Sequence, residues 1–351
     1  MTDDASPPHK RRVRYVGTHP RQFEDKYKEL DPVRHAAEIE KVMQRGQTPA
    51  GMHRSICVDE ILQHLNPQPG ETGLDVTLGY GGHTQALLAR VLPGGRMFGM
   101  DVDPIELPRT TARLRALGFD EAALIVHRSN FSELATLLPQ TDGGFDFVLA
   151  DLGVSSMQID NPARGFSFRA DGPLDLRLDP TSGQSASELL LSVTRHQLRD
   201  LLTDNSDEPY AVELAAALQG QYLETTVQLA DLVRATMEAV YPRKLPADER
   251  LAETKKVLQR TFQALRIEVN NEFGVLDKLL EDLPACLKPG GRVAILSFHS
   301  GEDRRVKKCF QTGERNGTFS SVAPDPIRAS FEEQRANSRS SSAKLRWAVR
   351  A

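Results

Sequence analysis

Residues 75–84 read DVTLGYGGHT, in which three glycines follow a short apolar run and precede a predicted helix. Glycine tolerates positive φ angles and lets a ligand approach the backbone, so a loop this rich in glycine predicts a ligand-binding turn. A nicotinamide dinucleotide, a nucleoside triphosphate and S-adenosylmethionine all suit such a loop. The surrounding residues distinguish between these three ligands.

Strand and helix patterns alternate around this loop. Residues 73–77 read as a buried strand, 84–91 as a helix with an apolar face, and 96–103 as a second strand that ends in acids. A strand, glycine loop, helix and strand in this order form a βαβ unit. Further strands are predicted at 123–127 and 145–150, so we predict the α/β class with a doubly wound, Rossmann-like parallel sheet.

The alternation stops near residue 160, and amphipathic helical patterns follow up to about residue 255. The sheet pattern resumes with a long helix predicted over 261–286 and the run LKPGGRVAILSF at 287–298. This organisation predicts three parts, with the following bounds. They are a basic and polar N-terminal extension at 1–52, a Rossmann-like domain at 53–159 plus 256–351, and an inserted all-helical substrate-recognition domain at 160–255.

The glycine loop lacks two standard fingerprints. A dinucleotide loop needs Gly-x-Gly-x-x-Gly, but Thr84 stands at the third glycine position, and the Gly-Lys-Ser/Thr of a P-loop is absent. Asp101 ends the second strand and is placed to accept hydrogen bonds from ribose hydroxyls, as NAD enzymes also arrange. The PGG turn before a late apolar strand is typical of class I methyltransferases and favours S-adenosylmethionine. An NAD-dependent oxidoreductase remains the alternative.

Composition limits the classes of partner. The 351 residues carry a formal net charge of -4, which argues against a small basic module that binds naked nucleic acid. Basic residues concentrate at 9–21 and in an arginine- and serine-rich tail from residue 328, so both ends are candidates for contact with phosphate.

Three cysteines lie far apart without CxxC spacing, so neither a metal site nor a disulfide framework is expected. No apolar run approaches the roughly 18 residues of a membrane span, and the first residues, MTDDASPP, lack the apolar core of a signal peptide. We therefore expect a cytoplasmic protein without membrane contact.

Four longer motifs point to one family. They are LGYGGHT at 78–84, DLGVSSMQIDNPARGFSFRADGPLDLRLDP at 151–180, FQALRIEVNNE at 262–272 and SFHSGEDRRVKK at 297–308. Together they closely resemble the RsmH (MraW) family of bacterial small-subunit rRNA methyltransferases. The resemblance implies an S-adenosylmethionine-dependent enzyme that methylates the exocyclic N4 amine of a cytidine in the decoding region of 16S rRNA. It also implies a class I methyltransferase domain interrupted by a helical domain.

The resemblance assigns the expected cofactor contacts, and the chemistry of the reaction suggests the remaining site residues. Those expected to contact the cofactor are Gly81, Gly82, His83, Asp101, Phe131, Asp151 and Gln158. Asp151 is also the expected catalytic acceptor for the amine. Those expected to bind the base or the phosphates are Arg164, Asp175, Arg177 and His299. A local ion pair between Asp175 and Arg177 is an equally good interpretation.

The implied partner is 16S rRNA within the small ribosomal subunit, and a homodimer is compatible with the resemblance. We expect the helical insert, the loop 164–177 and the tail 335–346 to frame the RNA surface. The chain departs from the family pattern at Tyr80, where arginine is expected, at Met157, where proline is expected, and at Gly301, where leucine is expected. These departures leave a non-catalytic ribosome-assembly factor as a second alternative.

Overall fold

The computed structural model describes residues 55–242 and 245–351 of the chain. The predicted N-terminal extension, residues 1–52, lies outside the described residues. A seven-stranded sheet runs through the described part of the chain. Its strands are β1 (Thr72–Asp75), β2 (Arg96–Asp101), β3 (Leu124–Arg128), β4 (Phe145–Asp151), β5 (Leu287–Ser297), β6 (Phe319–Val322) and β7 (Lys344–Arg350).

Helices precede, separate and follow these strands. In the described ranges the α-helices are α1 (Val58–Leu65), α2 (Gly82–Val91), α3 (Glu106–Ala116), α4 (Ser156–Asp160), α5 (Ala186–Ser192), α6 (Arg195–Ser206), α7 (Ala211–Leu218), α8 (Thr226–Val240), α9 (Ala247–Val269), α10 (Glu272–Cys286), α11 (Ser300–Arg315) and α12 (Phe331–Ala336). Short 3-10 helices span Phe131–Gln140, Pro162–Arg164 and Ser338–Ser342. Of the helices described, none has the length and apolar character needed to cross a membrane.

The strand order in the sheet is β3-β2-β1-β4-β5-β7-β6. Strands β1 to β5 run parallel, whereas β7 is antiparallel to both β5 and β6. Because β1 pairs with β2 on one side and with β4 on the other, the strand order reverses between β1 and β4. Open α/β sheets bind ligands outside the carboxyl ends of the strands at such a switch point. The predicted α/β class with a doubly wound sheet is confirmed.

Both faces of the sheet are buried under helices. In β4, Val148 and Ala150 pack into a core with leucines of α10, while Phe147 and Leu149 pack into a second core with α1, α2 and α3. A strand that is covered on both faces has no polar side, so it reads in the sequence as a continuous apolar run.

Helices α5 to α9 lie in the chain between β4 and β5 and have a core of their own. It includes Leu190 of α5, Leu202 of α6, Leu214 of α7 and Val233 of α8, each fully buried. This helical region occupies the part of the sequence in which an insert is expected, and the exact bounds of an inserted domain stay a prediction.

The prediction of one long helix over 261–286 is wrong, because α9 and α10 meet at Asn270 and Asn271. Asn271 has a φ of 47°, a left-handed conformation that does not continue a helix. The Asn270 side chain donates to the carbonyl of Leu176 at 2.8 Å and accepts from the amide of Leu178 at 2.7 Å. The break therefore ties α9 to the loop that follows β4, a distant contact that helical periodicity does not reveal.

The arginine- and serine-rich tail contains a strand rather than an exposed arm. Its last part, Lys344–Arg350, forms β7 between β5 and β6. Arg346 is 4% exposed, and its Nε donates to Asp303 Oδ1 at 2.6 Å. Lys344 Nζ donates to the other oxygen of Asp303 at 2.8 Å. The prediction that residues 335–346 frame an RNA surface is therefore wrong for Arg346. This residue is buried, and its charge is compensated by the Asp303 carboxylate on α11.

Position 301 holds glycine where leucine is expected. The Phe273 ring occupies the space that a side chain at this position would need. A Cβ built on Gly301 would lie 2.5 Å from Phe273 Cζ and 3.1 Å from its Cε1. The Phe273 ring is in turn covered by the Arg305 guanidinium, whose Cζ lies 3.7 Å from the ring centroid. The ring cannot move away without losing this contact.

Replacing Gly301 with leucine should therefore lower the free energy of unfolding by about 1–3 kcal/mol, the usual cost of overpacking a core. Urea denaturation measures it. The double variant Phe273→Ala/Gly301→Leu should lose less stability than the sum of the two single variants, because the new side chain fills the space that the ring leaves. Additive losses would contradict the steric explanation.

Candidate active site

Three carboxylates lie at the carboxyl ends of adjacent parallel strands. Asp75 ends β1, Asp101 ends β2 and Asp151 ends β4. Because β1 lies between the other two strands, these side chains border one crevice at the switch point. Phe131 follows the next strand, β3, and begins a 3-10 helix. Residues predicted from separate motifs thus meet at one edge of the sheet.

The glycine loop between β1 and α2 is held by contacts with its neighbours. Gly79 and Gly81 have φ angles of 49° and 76°, in the left-handed region that favours glycine. The Gly79 amide donates to Asp101 Oδ2 at 2.7 Å, and its carbonyl accepts from Thr110 Oγ1 at 2.6 Å. The loop is therefore shaped from the end of β2 and from α3.

The first turn of α2 is the other part of the loop. Gly81 is the N-cap residue, and no side chain caps this helix start among the described residues. A Cβ on Gly82 would lie 2.1 Å from Ser55 Oγ, so the chain packs too closely for a side chain there. Uncapped amides at a helix start are donors for the polar groups of a ligand.

Asp101 retains acceptor capacity beyond its contacts within the protein. Its Oδ2 accepts from the Gly79 amide, and its Oδ1 accepts from the Asp103 amide at 2.9 Å. Each carboxylate oxygen has a second lone pair, which can accept a hydrogen bond from a ribose hydroxyl. Burial raises the pKa of Asp101 to about 6, while the two amide donors oppose that rise. Asp101 is therefore charged at neutral pH and titrates just below it.

Asp151 is fixed at its backbone, and one of its two side-chain oxygens lacks a donor among the residues that the structure describes. Its amide donates to Thr77 Oγ1 at 2.6 Å, which joins the end of β4 to the glycine loop. Its Oδ1 is screened from solvent and accepts no hydrogen bond from the part of the chain described. Burial raises the pKa of Asp151 to about 6, and the nearby imidazole of His83 opposes the rise. A buried acceptor without a donor is rare in folded proteins and points to a donor on a ligand.

His83 connects Asp151 to the residues before α1. It lies on the first turn of α2 and is 6% exposed. Its Nε2 is 2.9 Å from the carbonyl oxygen of Ile56, and its Nδ1 is 3.5 Å from Asp151 Oδ2. The contact of His83 with the cofactor stays a prediction, whereas its contact with Asp151 is part of the structure.

A buried network around Asp103 lies beside these residues. Its Oδ1 accepts from the amides of Ile105 and Glu106 at the start of α3. Its Oδ2 accepts from Gln158 Nε2 at 2.7 Å and from Arg164 at 2.6 Å. The network ties the loop after β2 to the segment after β4. The sequence analysis assigns Asp103 no role, although a second acid two residues beyond Asp101 is a signal that could have indicated one.

Gln158 and Arg164 have their polar groups directed at protein partners. Arg164 is 5% exposed, and its second terminal nitrogen donates to the Leu178 carbonyl at 2.7 Å. Gln158 is 8% exposed, and its Oε1 accepts from the Ser155 amide at 2.8 Å. Both residues therefore support the wall of the crevice, and direct contacts with RNA or with the cofactor stay predictions.

Asp175 and Arg177 form the local ion pair that the sequence left open. Arg177 donates from Nε to Asp175 Oδ1 at 2.8 Å and from a terminal nitrogen to Oδ2 at 2.7 Å. Burial alone would raise the pKa of Asp175, but the hydrogen bonds from Arg177 hold it below its ordinary value. Leu176 between them has a φ of 65°, an uncommon conformation for leucine. Binding of the base or of phosphates by this pair stays a prediction.

His299 and Tyr80 lie on two sides of the crevice. His299 follows β5 as the N-cap residue of α11, and its Nε2 is 3.1 Å from Glu302 Oε1. The ring of Tyr80 lies 4.2 Å from the guanidinium carbon of Arg113, which also donates to the Tyr80 carbonyl. A guanidinium thus packs against the glycine loop from α3, although the loop has tyrosine where arginine is expected.

Comparison with known proteins identifies the family of the chain. The model of the MraW methylase family matches residues 50–351. The chain belongs to the MraW methylase family. Two curated relatives of this family member are each 52% identical to it. Ribosomal RNA small subunit methyltransferase H 1 of Lachnoclostridium phytofermentans covers 100% of this chain and 95% of its own length, and methyltransferase H 2 of Alkaliphilus metalliredigens covers 97% of each.

Among solved structures, a SAM-dependent methyltransferase from Aquifex aeolicus aligns with 90% of this MraW family chain and 98% of its own, at 11% identity and a TM-score of 0.38. Membership of a methylase family decides between the ligands that suit the glycine loop. The protein is an S-adenosylmethionine-dependent methyltransferase of the class I, Rossmann-like fold, as predicted, and the alternative of an NAD-dependent oxidoreductase is not supported.

The Asp103–Arg164 pair yields a stability test. Arg164→Met leaves the buried Asp103 carboxylate without its cationic partner and should lower the free energy of unfolding by about 3–5 kcal/mol. Arg234→Met is the matched control, because Arg234 is 46% exposed and its partner Asp231 is 65% exposed. That exposed pair should contribute less than about 1 kcal/mol. Equal losses in urea denaturation of the two variants would contradict a structural role for Arg164.

Proposed function

We propose that the protein methylates the exocyclic N4 amine of a cytidine in the decoding region of 16S rRNA, with S-adenosylmethionine as methyl donor, within the small ribosomal subunit and in the cytoplasm. The observation that carries the proposal is Asp151 Oδ1, a buried acceptor at the end of β4 without a donor among the described residues. The N–H groups of a cytosine amine are donors of the required kind. The two relatives named above are ribosomal RNA methyltransferases by name, which supports RNA as the substrate.

The crevice suits the cofactor. Asp101 offers lone pairs to ribose hydroxyls, and the uncapped start of α2 offers backbone amides. Gly79 and Gly81 let the ligand approach the backbone, because no side chain projects from the loop at these positions. When bound, S-adenosylmethionine supplies a methyl group on a positively charged sulfur.

The role of Asp151 follows from the chemistry of the amine. The nitrogen lone pair of cytosine N4 is delocalised into the ring, so the amine is a weak nucleophile. A carboxylate that accepts one N–H bond orients the amine, increases electron density on the nitrogen and is placed to take the proton that the reaction releases. Holding two reactants in line accounts for roughly 7–11 kcal/mol of the barrier in well-oriented reactions.

Exposed arginines at the carboxyl edge of the sheet support an RNA substrate. Arg109 on α3 is 53% exposed, Arg128 at the end of β3 is 54% exposed, and Arg304 on α11 is 67% exposed. Each also pairs with an acid, namely Glu106, Asp179 and Asp207 respectively, and their exposure suits contacts with phosphates. A stacked cytidine has to leave its helix to reach Asp151.

The proposal is compatible with a monomer and with a homodimer, which analytical ultracentrifugation distinguishes.

Affinity for S-adenosylmethionine should depend on the ionisation of Asp101. Its pKa of about 6 means that the carboxylate is charged at pH 7 and largely protonated at pH 5. Loss of the charged acceptor should weaken binding by about tenfold between these pH values, measured by titration calorimetry. Asp101→Asn should bind weakly at both pH values. A wild-type affinity that does not change from pH 7 to pH 5 would argue against Asp101 as the ribose acceptor.

Methyl transfer itself is tested on small subunits from a strain that lacks the modification. Mass spectrometry of the rRNA nucleosides should show N4-methylcytidine after incubation with the protein and S-adenosylmethionine. Asp151→Asn should lower kcat by about 10²–10⁴-fold, the range for loss of a general base. Asp142→Asn, an exposed acid in the turn before β4, is the matched control and should retain full activity. Absence of the product with wild-type protein would instead indicate a non-catalytic assembly factor.

A further inference from the structure

The hydrogen bond between His83 and the Ile56 carbonyl shows that one ring nitrogen of His83, Nε2, carries a proton. A carbonyl oxygen has no hydrogen to donate, so the contact of 2.9 Å between His83 Nε2 and the Ile56 oxygen requires a hydrogen on Nε2. The ring is 6% exposed, so water does not offer an alternative partner for this nitrogen. His83 is therefore either the neutral form protonated on Nε2 or the doubly protonated imidazolium.

The other ring nitrogen faces a carboxylate. His83 Nδ1 lies 3.5 Å from Asp151 Oδ2. In the neutral form protonated on Nε2, the unprotonated Nδ1 would lie 3.5 Å from an oxygen that is also rich in electrons, which is an unfavourable arrangement. A proton between the two groups removes the repulsion, whether it resides on Nδ1 or on the carboxyl group. The geometry therefore indicates one proton shared by His83 and Asp151.

We propose that His83 is a positioning residue that holds this shared proton on Nδ1 and thereby keeps Asp151 in the carboxylate form that accepts the substrate amine. The proposal rests on the proposed function in assigning that role to Asp151. It adds a separate assignment to that function. The first turn of α2, which is part of the cofactor loop, would also control the charge of Asp151, the acceptor for the RNA substrate.

The groups around Asp151 explain why this partner is needed. Those facing it from other elements are Asp75 on β1, Glu302 on α11, His83 on α2 and the thiol of Cys57 before α1. The pKa of Asp151 is raised to about 6 by burial, which His83 opposes and which the acids Asp75 and Glu302 reinforce. In the proposed arrangement His83 is the cationic group of this set, and its removal leaves only influences that favour the protonated acid.

The sign of the pH effect follows. Below its pKa Asp151 is protonated, so it is a weaker acceptor for the amine and cannot take up the proton that the reaction releases. The kcat should therefore fall as the pH decreases through about 6. Without His83 the pKa of Asp151 rises, so the acid limb of the kcat profile should move to higher pH. Activity should return at alkaline pH, where Asp151 ionises without help.

His83→Gln tests this with the full chain, S-adenosylmethionine and unmodified small subunits. The glutamine amide can still donate to the Ile56 carbonyl but carries no charge. Its kcat relative to wild type should be about fivefold lower at pH 6 than at pH 8.5, for a pKa increase of about one unit. His64→Gln is the matched control, a half-buried histidine stacked on Trp347 at 5.0 Å, and should leave the profile unchanged. A loss of equal size at every pH, or no loss, would overturn the proposal.

A second measurement does not depend on activity. Nitrogen-15 NMR of the histidine ring, with the His83 signals assigned by their absence in His83→Gln, should show both nitrogens protonated at pH 7 and only Nε2 protonated in Asp151→Asn. A bare Nδ1 in the wild type would overturn the proposal even if cytidine is methylated. A protonated Nδ1 in a protein that leaves cytidine unmodified would support the proton pair and reject the proposed function alone.

Discussion

Burial of carboxylates at one edge of the sheet is the constraint on which the rest of the site depends. Asp75, Asp101, Asp103 and Asp151 lie within or just beyond the ends of parallel strands, where Asp75 and Asp103 are fully buried and Asp101 and Asp151 are partly buried. A buried charge is costly unless it has donors, and Asp75, Asp101 and Asp103 obtain donors from Thr84, Gly79 and Arg164, each on another element. The loop, the start of α2 and the segment after β4 take their shapes from these hydrogen bonds.

The donors divide the acids into structural and chemical groups. Asp103 is fully satisfied by two backbone amides, Gln158 and Arg164, and it joins two loops into one wall. Asp101 and Asp151 keep lone pairs that accept no hydrogen bond from the described residues. Burial raises the pKa of each to about 6. A methyl transfer needs such groups, because an acceptor already saturated by the protein has nothing to offer a ribose or an amine.

Local patterns predicted most of the parallel sheet, since β1 to β5 are apolar runs next to glycine turns and need no distant partner to be recognised. The same reasoning failed for β7 and for the junction of α9 and α10. Arg346 in β7 is neutralised by Asp303, and Asn270 at the junction binds the loop at Leu176. Contacts with residues far away in the chain override local propensity, and a single sequence does not show which residues form them.

The sequence by itself determined the fold class, the family and the acids at the strand ends, because these depend on periodicity, on glycine spacing and on long motifs. Only the tertiary structure decided what the side chains do: Arg164 is buried against Asp103, Arg177 is paired with Asp175, and His83 faces Asp151. The physical reason is that hydrogen bonding and burial depend on distances between residues far apart in the chain. A motif names the residues that meet, whereas their packing determines which of them remain available to a ligand.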